Sequence, residues 1–208
     1  MEGIQVRDFP HLCNEFDLAI MNNAEGIILK SLDVEYFPND RSTKWIKLKG
    51  DYVENMTDTC DLLILGGYYG TDSHRVEKFD QYDRISHFLV GVAVRIDKDQ
   101  PKNSIILPFT KVGTGYNDNE LSSLRNKLRN NWTNKKPLFI PSNWNPGVND
   151  RPDIYIDNPK DSIILELKAA EITPSNTFPT DYTLRFPRVE KIRWNKNWDE
   201  VMTTEDLK

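Results

Sequence analysis

Cysteine is scarce. The 208-residue chain has two, Cys13 and Cys60, which excludes a disulfide framework and any paired-thiolate zinc spacing. Both read as small apolar packing residues of a protein kept in a reducing compartment. Histidine is nearly as rare: His11, His74 and His87 are scattered, and none falls at metal-ligand spacing. No apolar run approaches the roughly 20 residues that span a bilayer, and the first residues lack the charged-then-apolar order of a signal peptide. A soluble, intracellular protein with no membrane partner is expected. Repeats and low-complexity tracts are absent. Neither sign of charge dominates: charged residues make up 28% and the net charge is −5. That balance argues against a basic protein that coats nucleic acid wholesale.

What is present is uneven. From Tyr182 to Trp198 the basic residues Arg185, Arg188, Lys191, Arg193 and Lys196 meet, within their own segment, essentially one acid, Glu190. A local positive patch on an acidic chain suggests a defined anionic site. A second concentration is Lys44-Trp45-Ile46-Lys47-Leu48-Lys49. Successive strand side chains point to opposite faces, so Trp45, Lys47 and Lys49 share one face, with neighbours about 7 Å apart. Two ammonium groups that close repel, unless both reach an anion such as a phosphate. The plainer alternative is an amphipathic edge strand with solvated lysines.

The length suits one large domain or a domain plus a fragment. Leu12, Phe16, Ala19 and Ile20 recur at helical spacing after Pro10, predicting a helix over 11–22. A short strand at Gly26–Lys30, a polar turn at Pro38–Ser42 and the lysine strand follow. Gly50-Asp51-Tyr52 reads as a boundary, because a glycine and a charge interrupt the apolar pattern. Beyond it strands are predicted at Cys60–Tyr69, Ser86–Ile96, Ile105–Val112, Ile154–Ile156, Ser162–Ile172 and Val189–Trp194, with loops at 70–84 and 133–152. One helix interrupts: Asn117 caps it, Glu120 completes a capping box, and Leu121, Leu124, Leu128 and Trp132 keep helical spacing. The expectation is a mainly β fold with α (α+β): about five strands and one inserted helix in a small barrel such as an OB-fold. An SH3-like barrel or a sandwich would give much the same string.

Three segments resemble the later nucleotidyltransferase motifs of ATP-dependent DNA ligases. Glu25-Gly26-Ile27-Ile28-Leu29-Lys30 resembles motif IV. Trp45-Ile46-Lys47-Leu48-Lys49 resembles motif V. Arg185-Phe186-Pro187-Arg188, running on to Arg193-Trp194-Asn195-Lys196, resembles motif VI. Their order, with a barrel-sized segment between the second and third, is the strong part of the signal. Gly66-Gly67-Tyr68-Tyr69-Gly70, Ser86-His87-Phe88-Leu89, Lys168-Ala169-Ala170-Glu171-Ile172 and the run Leu184–Arg193 resemble the DNA ligase IV, or end-joining, branch. The likeness covers nearly the whole chain and is weakest before Ala24 and in 71–84 and 133–152.

The resemblance implies a division of the chain: 1–50 as the end of a nucleotidyltransferase domain carrying motifs IV and V, and 51–208 as an OB-fold domain carrying motif VI. It implies roles as well. Glu25 matches the glutamate that helps hold the divalent metal, Mg²⁺, near the nucleotide phosphate. A hard carboxylate oxygen suits that ion, although a turn carboxylate is the plainer reading of Glu25 alone. Lys30 lines the nucleotide site. Lys47 and Lys49 neutralise the α-phosphate of ATP, where fixed charge assists nucleotidyl transfer. Trp45 packs behind them. In a regular strand Glu25 and Lys30 face opposite ways, so Glu25 is expected at the strand entrance. Arg188, Arg193 and Lys196 reach the ATP β- and γ-phosphates. Many relatives carry aspartate where this chain has Asn195, which puts a complete carry-over of motif VI pairing in doubt.

The family works through a lysyl-AMP and then a DNA-adenylate before sealing the strand. Its nucleophile lies in a Lys-x-Asp-Gly that this sequence does not contain. The chain therefore resembles a fragment with no catalytic residue of its own, expected not to self-adenylate. The parent implied is a nuclear ligase of non-homologous end joining that acts on nicked or broken duplex DNA. It binds a coiled-coil scaffold protein through BRCT repeats absent here. Two rivals remain: a free-standing OB-fold binder of single strands, and a fragment of an mRNA capping enzyme or RNA ligase, which shares the motif IV–V–VI plan.

Overall fold

The computed structural model describes residues 3–22, 24–32, 45–50, 59–70 and 81–207. The turn expected at Pro38–Ser42, Lys44, most of the 70–84 loop, and Asp51 and Tyr52 of the expected boundary lie outside the described residues. The chain forms two compact units, Met1–Thr57 and Asp58–Lys208.

In the first unit, helix α1 spans Phe9–Met21, with Asp8 as its N-cap accepting from the His11 N–H at 2.8 Å. Pro10 in the first turn costs no hydrogen bond there. Leu12, Phe16, Ala19 and Ile20 form the half-buried stripe expected from their spacing, whereas Cys13, Asn14, Asp17 and Leu18 are exposed. Cys13 is thus not the packing residue its type suggests: it falls on the outer face of α1, where the helical period puts it. Strands β1 (Gly26–Lys30) and β2 (Trp45–Lys49) form an antiparallel ribbon.

The second unit is an OB-fold. Strand β3 (Thr59–Tyr69) is its spine: Leu62, Leu63, Ile64 and Leu65 are wholly buried. β4 (Ile85–Arg95) flanks one side of β3 and β5 (Ile105–Val112) flanks β4. After β5 comes helix α2 (Asp118–Leu128). Its Asn117–Glu120 capping box is formed, and Leu124 and Leu128 are buried in the core. The short β6 (Trp132–Thr133) pairs with β7 (Ile154–Ile156), which meets β3 at Gly66 and Gly67. β8 (Ile164–Lys168) then runs beside the first half of β3. β9 (Glu171–Pro174) and β10 (Tyr182–Arg185) make a separate hairpin, and β11 (Arg188–Ile192) returns to pair with β8.

The order β11-β8-β3-β4-β5 leaves β11 and β5 as its two ends. They are drawn together where the Val189 N–H donates to the Thr114 carbonyl at 2.8 Å and the Thr114 hydroxyl donates to that of Pro187 at 3.3 Å. Gly115 permits this approach. A Cβ there would lie 2.1 Å from the Val189 carbonyl oxygen, and its φ of +103° suits a residue without one. Closing the sheet removes its edges.

Two expectations fail locally. The single strand expected over Ser162–Ile172 breaks at Ala169-Ala170. β8 belongs to the barrel, while the Ala170 N–H turns to the Arg185 carbonyl at 3.0 Å and β9 joins β10 instead. Trp132, expected on the helical stripe, lies in β6 opposite Ile156. α2 has stopped at Leu128, and the Asn131 N–H closes a turn onto its carbonyl at 2.8 Å. Asparagines at 130 and 131 favour such turns over continued helix.

Candidate functional site

The lysines of the first unit sit where strand alternation puts them. In the β1–β2 register Lys49 lies opposite Gly26, Lys47 opposite Ile28 and Trp45 opposite Lys30. Paired residues of an antiparallel ladder share a face, so Lys30, Lys47, Lys49 and Trp45 stand together. Ile27, Leu29, Ile46 and Leu48 take the other side. Gly26, at φ +148°, brings the two backbones so close that a Cβ would lie 2.0 Å from the Leu48 carbonyl oxygen.

Glu25 precedes the strand, and its backbone carbonyl accepts from the Gly50 N–H at 3.4 Å. Outside the regular alternation its carboxylate turns back to the lysine face and accepts a hydrogen bond from the Lys49 ammonium. Lys30 holds its ammonium 4.3 Å from the centre of the Trp45 ring, a cation–π contact. Trp45 is therefore a cation support. Lys47 is exposed and makes no ion pair or hydrogen bond among the described residues. Among the described residues the face carries three cations against one carboxylate, an arrangement suited to an anion. Glu25 offers one hard oxygen to a divalent ion. Among the described residues there is no cluster of three or more His, Cys, Asp or Glu side chains able to hold a metal. A Mg²⁺ here would take its other ligands from phosphate and water, which is how that ion commonly binds.

In the second unit the basic run is less free than its local sequence suggests. Acids from distant strands neutralise most of it. Arg185 pairs with Glu171 across the β9–β10 hairpin at 2.5 Å. Arg193 lies 3.1 Å from Glu166 and 3.6 Å from Asp61. Lys196 donates to Asp61 at 2.5 Å. Arg188 opens β11 half-buried, opposite Lys168, while Lys191 and Asn195 are exposed. Phe186 sits between Arg185 and Arg188 at φ +52°, its ring 68% exposed and 5.1 Å from the Arg185 guanidinium. The structure thus groups Arg193 and Lys196 in one network, in the turn after β11, and places Arg188 at the head of β11.

Sequence reasoning missed Asp61, Glu166 and Glu171 as partners. A signal existed: Asp61 is the one charge inside the apolar strand β3, and Glu166 stands between Leu165 and Leu167 in β8; a carboxylate so placed needs a counter-charge.

The aromatic face of the barrel does not offer an open stacking platform at Tyr68. That ring is 5% exposed, its hydroxyl donates to the Asp150 carbonyl at 2.8 Å, and Lys111 lies 4.0 Å from its centre. Burial, then Asp150, pushes its phenol up. Nearby His87 is held below its ordinary value by burial and by Lys111, so it adds no fixed positive charge. Among the described residues no helix is long and apolar enough to cross a membrane.

Residues 81–196 match the family profile described as the C-terminal region of ATP-dependent DNA ligases. Among curated proteins the chain is similar to DNA ligase 4 of Dictyostelium discoideum, at 36% identity over 99% of this chain and 20% of the relative. It is also similar to DNA ligase 4 of Homo sapiens, at 40% identity over 91% of this chain and 20% of the relative. It thus spans about a fifth of the length of these relatives. Among solved structures it resembles the ligase domain of M. tuberculosis LigD, at TM-score 0.50 and 23% identity, covering 91% of this chain and 51% of that one. With the OB barrel, its inserted helix and the profile match over more than half of its length, the chain belongs to the family of ATP-dependent DNA ligase C-terminal regions.

Proposed function

We propose that this chain is part of an end-joining DNA ligase and serves two of its tasks, contacting the nucleotide phosphates and engaging duplex DNA. The observation that carries the reading is the β1–β2 face. It gathers Lys30, Lys47 and Lys49 with Glu25 at its entrance, in a chain whose second unit is a ligase OB-fold. Lys47 and Lys49 neutralise the α-phosphate of ATP, and Lys30 lines the nucleotide site. Glu25 would hold a bound Mg²⁺ through one carboxylate oxygen, and the ion would supply Lewis-acid charge neutralisation on the phosphates; Lys49, paired with Glu25 here, would then be available to phosphate. Arg188, Arg193 and Lys196 answer the β- and γ-phosphates.

The parent seals double-strand breaks in the nucleus, through a lysyl-AMP and a DNA-adenylate, bound to a coiled-coil scaffold through BRCT repeats. This chain contains no Lys-x-Asp-Gly and supplies charge and DNA contact, not the nucleophile. The buried, hydrogen-bonded Tyr68 is no stacking platform for a single strand.

A competition assay tests the reading. Nicked duplex and single-stranded DNA of equal length compete for the purified chain at rising salt, and labelled ATP with Mg²⁺ is offered in parallel. Nicked duplex should win, with weak affinity that falls steeply with salt because the contacts are to phosphate. No label should enter the protein. Preference for the single strand, or salt-independent nanomolar binding, would overturn the reading. So would a labelled protein band.

A further inference from the structure

Asp61 and Glu166 stand directly opposite each other in the β3–β8 register. Like charges so placed repel. The chain answers them with two cations from the turn after β11: Arg193 reaches both acids, and Lys196 reaches Asp61. That turn is fixed by its own backbone. The Arg193 N–H donates to the Ile164 carbonyl at 2.9 Å, and the Lys196 N–H to that of Arg193 at 3.1 Å. All four side chains are a fifth to a quarter exposed, at 20% for both acids, 22% for Arg193 and 25% for Lys196. The cluster is sheltered, yet still within reach of solvent, and the exposed Lys191 stands opposite Glu166 in the β8–β11 register.

It is not well satisfied. Asp61 Oδ1 and Arg193 Nε are both shut off from water without a hydrogen-bond partner, although they face each other at 3.6 Å. The charges match and the donor geometry does not, so this pair recovers less than its desolvation cost. A contact of that kind is given up more readily than a fully formed one.

We infer that Asp61 and Glu166 are internal counter-anions that occupy Arg193 and Lys196 until a polyphosphate displaces them, an autoinhibitory contact within the barrel. The inference rests on the reading of Arg193 and Lys196 as polyphosphate contacts. It adds that the barrel binds triphosphate by exchange, its own carboxylates competing with the ligand. The two cations are thereby withheld from weaker anions, and a multiply charged ligand that can replace both carboxylates at once is favoured.

Calorimetric titration of the whole chain with inorganic tripolyphosphate at low ionic strength tests this. Asp61→Asn removes the charge that Lys196 and Arg193 share and keeps the side chain's shape. It should tighten binding about tenfold, the equivalent of about 1.4 kcal/mol. Glu166→Gln releases Arg193 alone and should tighten binding by less. Thermal unfolding of each variant checks that it is folded. If Asp61→Asn does not fold, Glu166→Gln decides by the sign of its change. Unchanged or weaker binding in the acid variants, with loss of binding in Lys196→Gln, would overturn the inference and leave the phosphate reading standing. If Arg193→Gln and Lys196→Gln leave tripolyphosphate binding untouched, or neither the parent chain nor the folded Asp61→Asn chain binds it, the phosphate reading itself falls and the inference with it.

Discussion

Replacing Gly115 by alanine asks whether the barrel closes where β5 runs out against β11. The residue holds φ at +103°, and an added Cβ would lie 2.1 Å from the carbonyl oxygen and 2.4 Å from the nitrogen of Val189. Both neighbours are backbone, so no side chain can swing aside. Alanine held in that region of φ costs about 1–3 kcal/mol. Relieving the clash moves β11 away from Thr114 and breaks the Val189 N–H bond to its carbonyl, now 2.8 Å. Losing a bond at such a seam adds about 1–3 kcal/mol if the groups stay dry. The sum is about 2–6 kcal/mol, or a midpoint lower by about 4–24 °C for a unit of this size. Urea and thermal unfolding followed by circular dichroism measure it. Gly147→Ala is the control, because the nearest atom to its added Cβ is 3.8 Å away; it should stay within about 0.5 kcal/mol of the parent. A loss under about 1 kcal/mol for Gly115→Ala would refute the closure described here.

Alkaline pH should destabilise the fold through its buried phenols. Burial pushes Tyr116 up to about 12, against an opposing pull from Arg125, and its hydroxyl donates to the Ser86 carbonyl at 2.5 Å. In the unfolded chain a tyrosine ionises near pH 10. Above that pH the unfolded state binds fewer protons than the folded one, so stability falls as pH rises. The contribution of Tyr116 is complete below about pH 10 and is lost at about 1.4 kcal/mol per unit up to about 12. Tyr116→Phe should flatten that fall, and parallel curves for the two proteins in denaturant titrations would count against it. Lys136 ties the 133–152 loop, donating to the carbonyls of Pro141 at 3.0 Å, Ser142 at 3.0 Å and Trp144 at 2.8 Å, with burial lowering its pKa. Lys136→Met should cost about 1–3 kcal/mol and speed amide exchange in that loop; unchanged exchange would show that the ammonium ties nothing.

Much of this fold is legible along the chain, and the legible parts share a cause. The Asn117–Glu120 box that starts α2 is a contact between residues three apart. The half-buried face of α1 follows from a period of 3.6. β5 lies over Ile105–Val112 as its apolar content predicts. The shared face of Lys47 and Lys49 needs only strand alternation. The place of Glu25 outside the regular strand, expected from the resemblance to motif IV, agrees with its carboxylate reaching Lys49.

Other features could not be read from neighbours. The Pro174–Thr177 and Pro179–Asp181 stretches signal a turn, but the hairpin around them is hard to read, because each of its strands is four residues long and they pair with each other outside the main sheet. The break at Ala169-Ala170 falls where both partners run out, since Lys168 pairs with the first residue of β3, Thr59, and the first of β11, Arg188. The basic run also changed meaning on folding: Glu190 is its acid in sequence, whereas Glu171, Glu166 and Asp61 are its partners in space. Asp61 arrives from 135 residues away to meet Lys196.

Local order therefore came from short-range rules: a cap, a helical period, a strand's alternation and the grouping of lysines on β2. Which cations remain free to meet an anion was decided by the folded barrel. Charge interaction depends on distance in space, and only the pairing of β3, β8 and β11 brings Asp61 and Glu166 to Arg193 and Lys196.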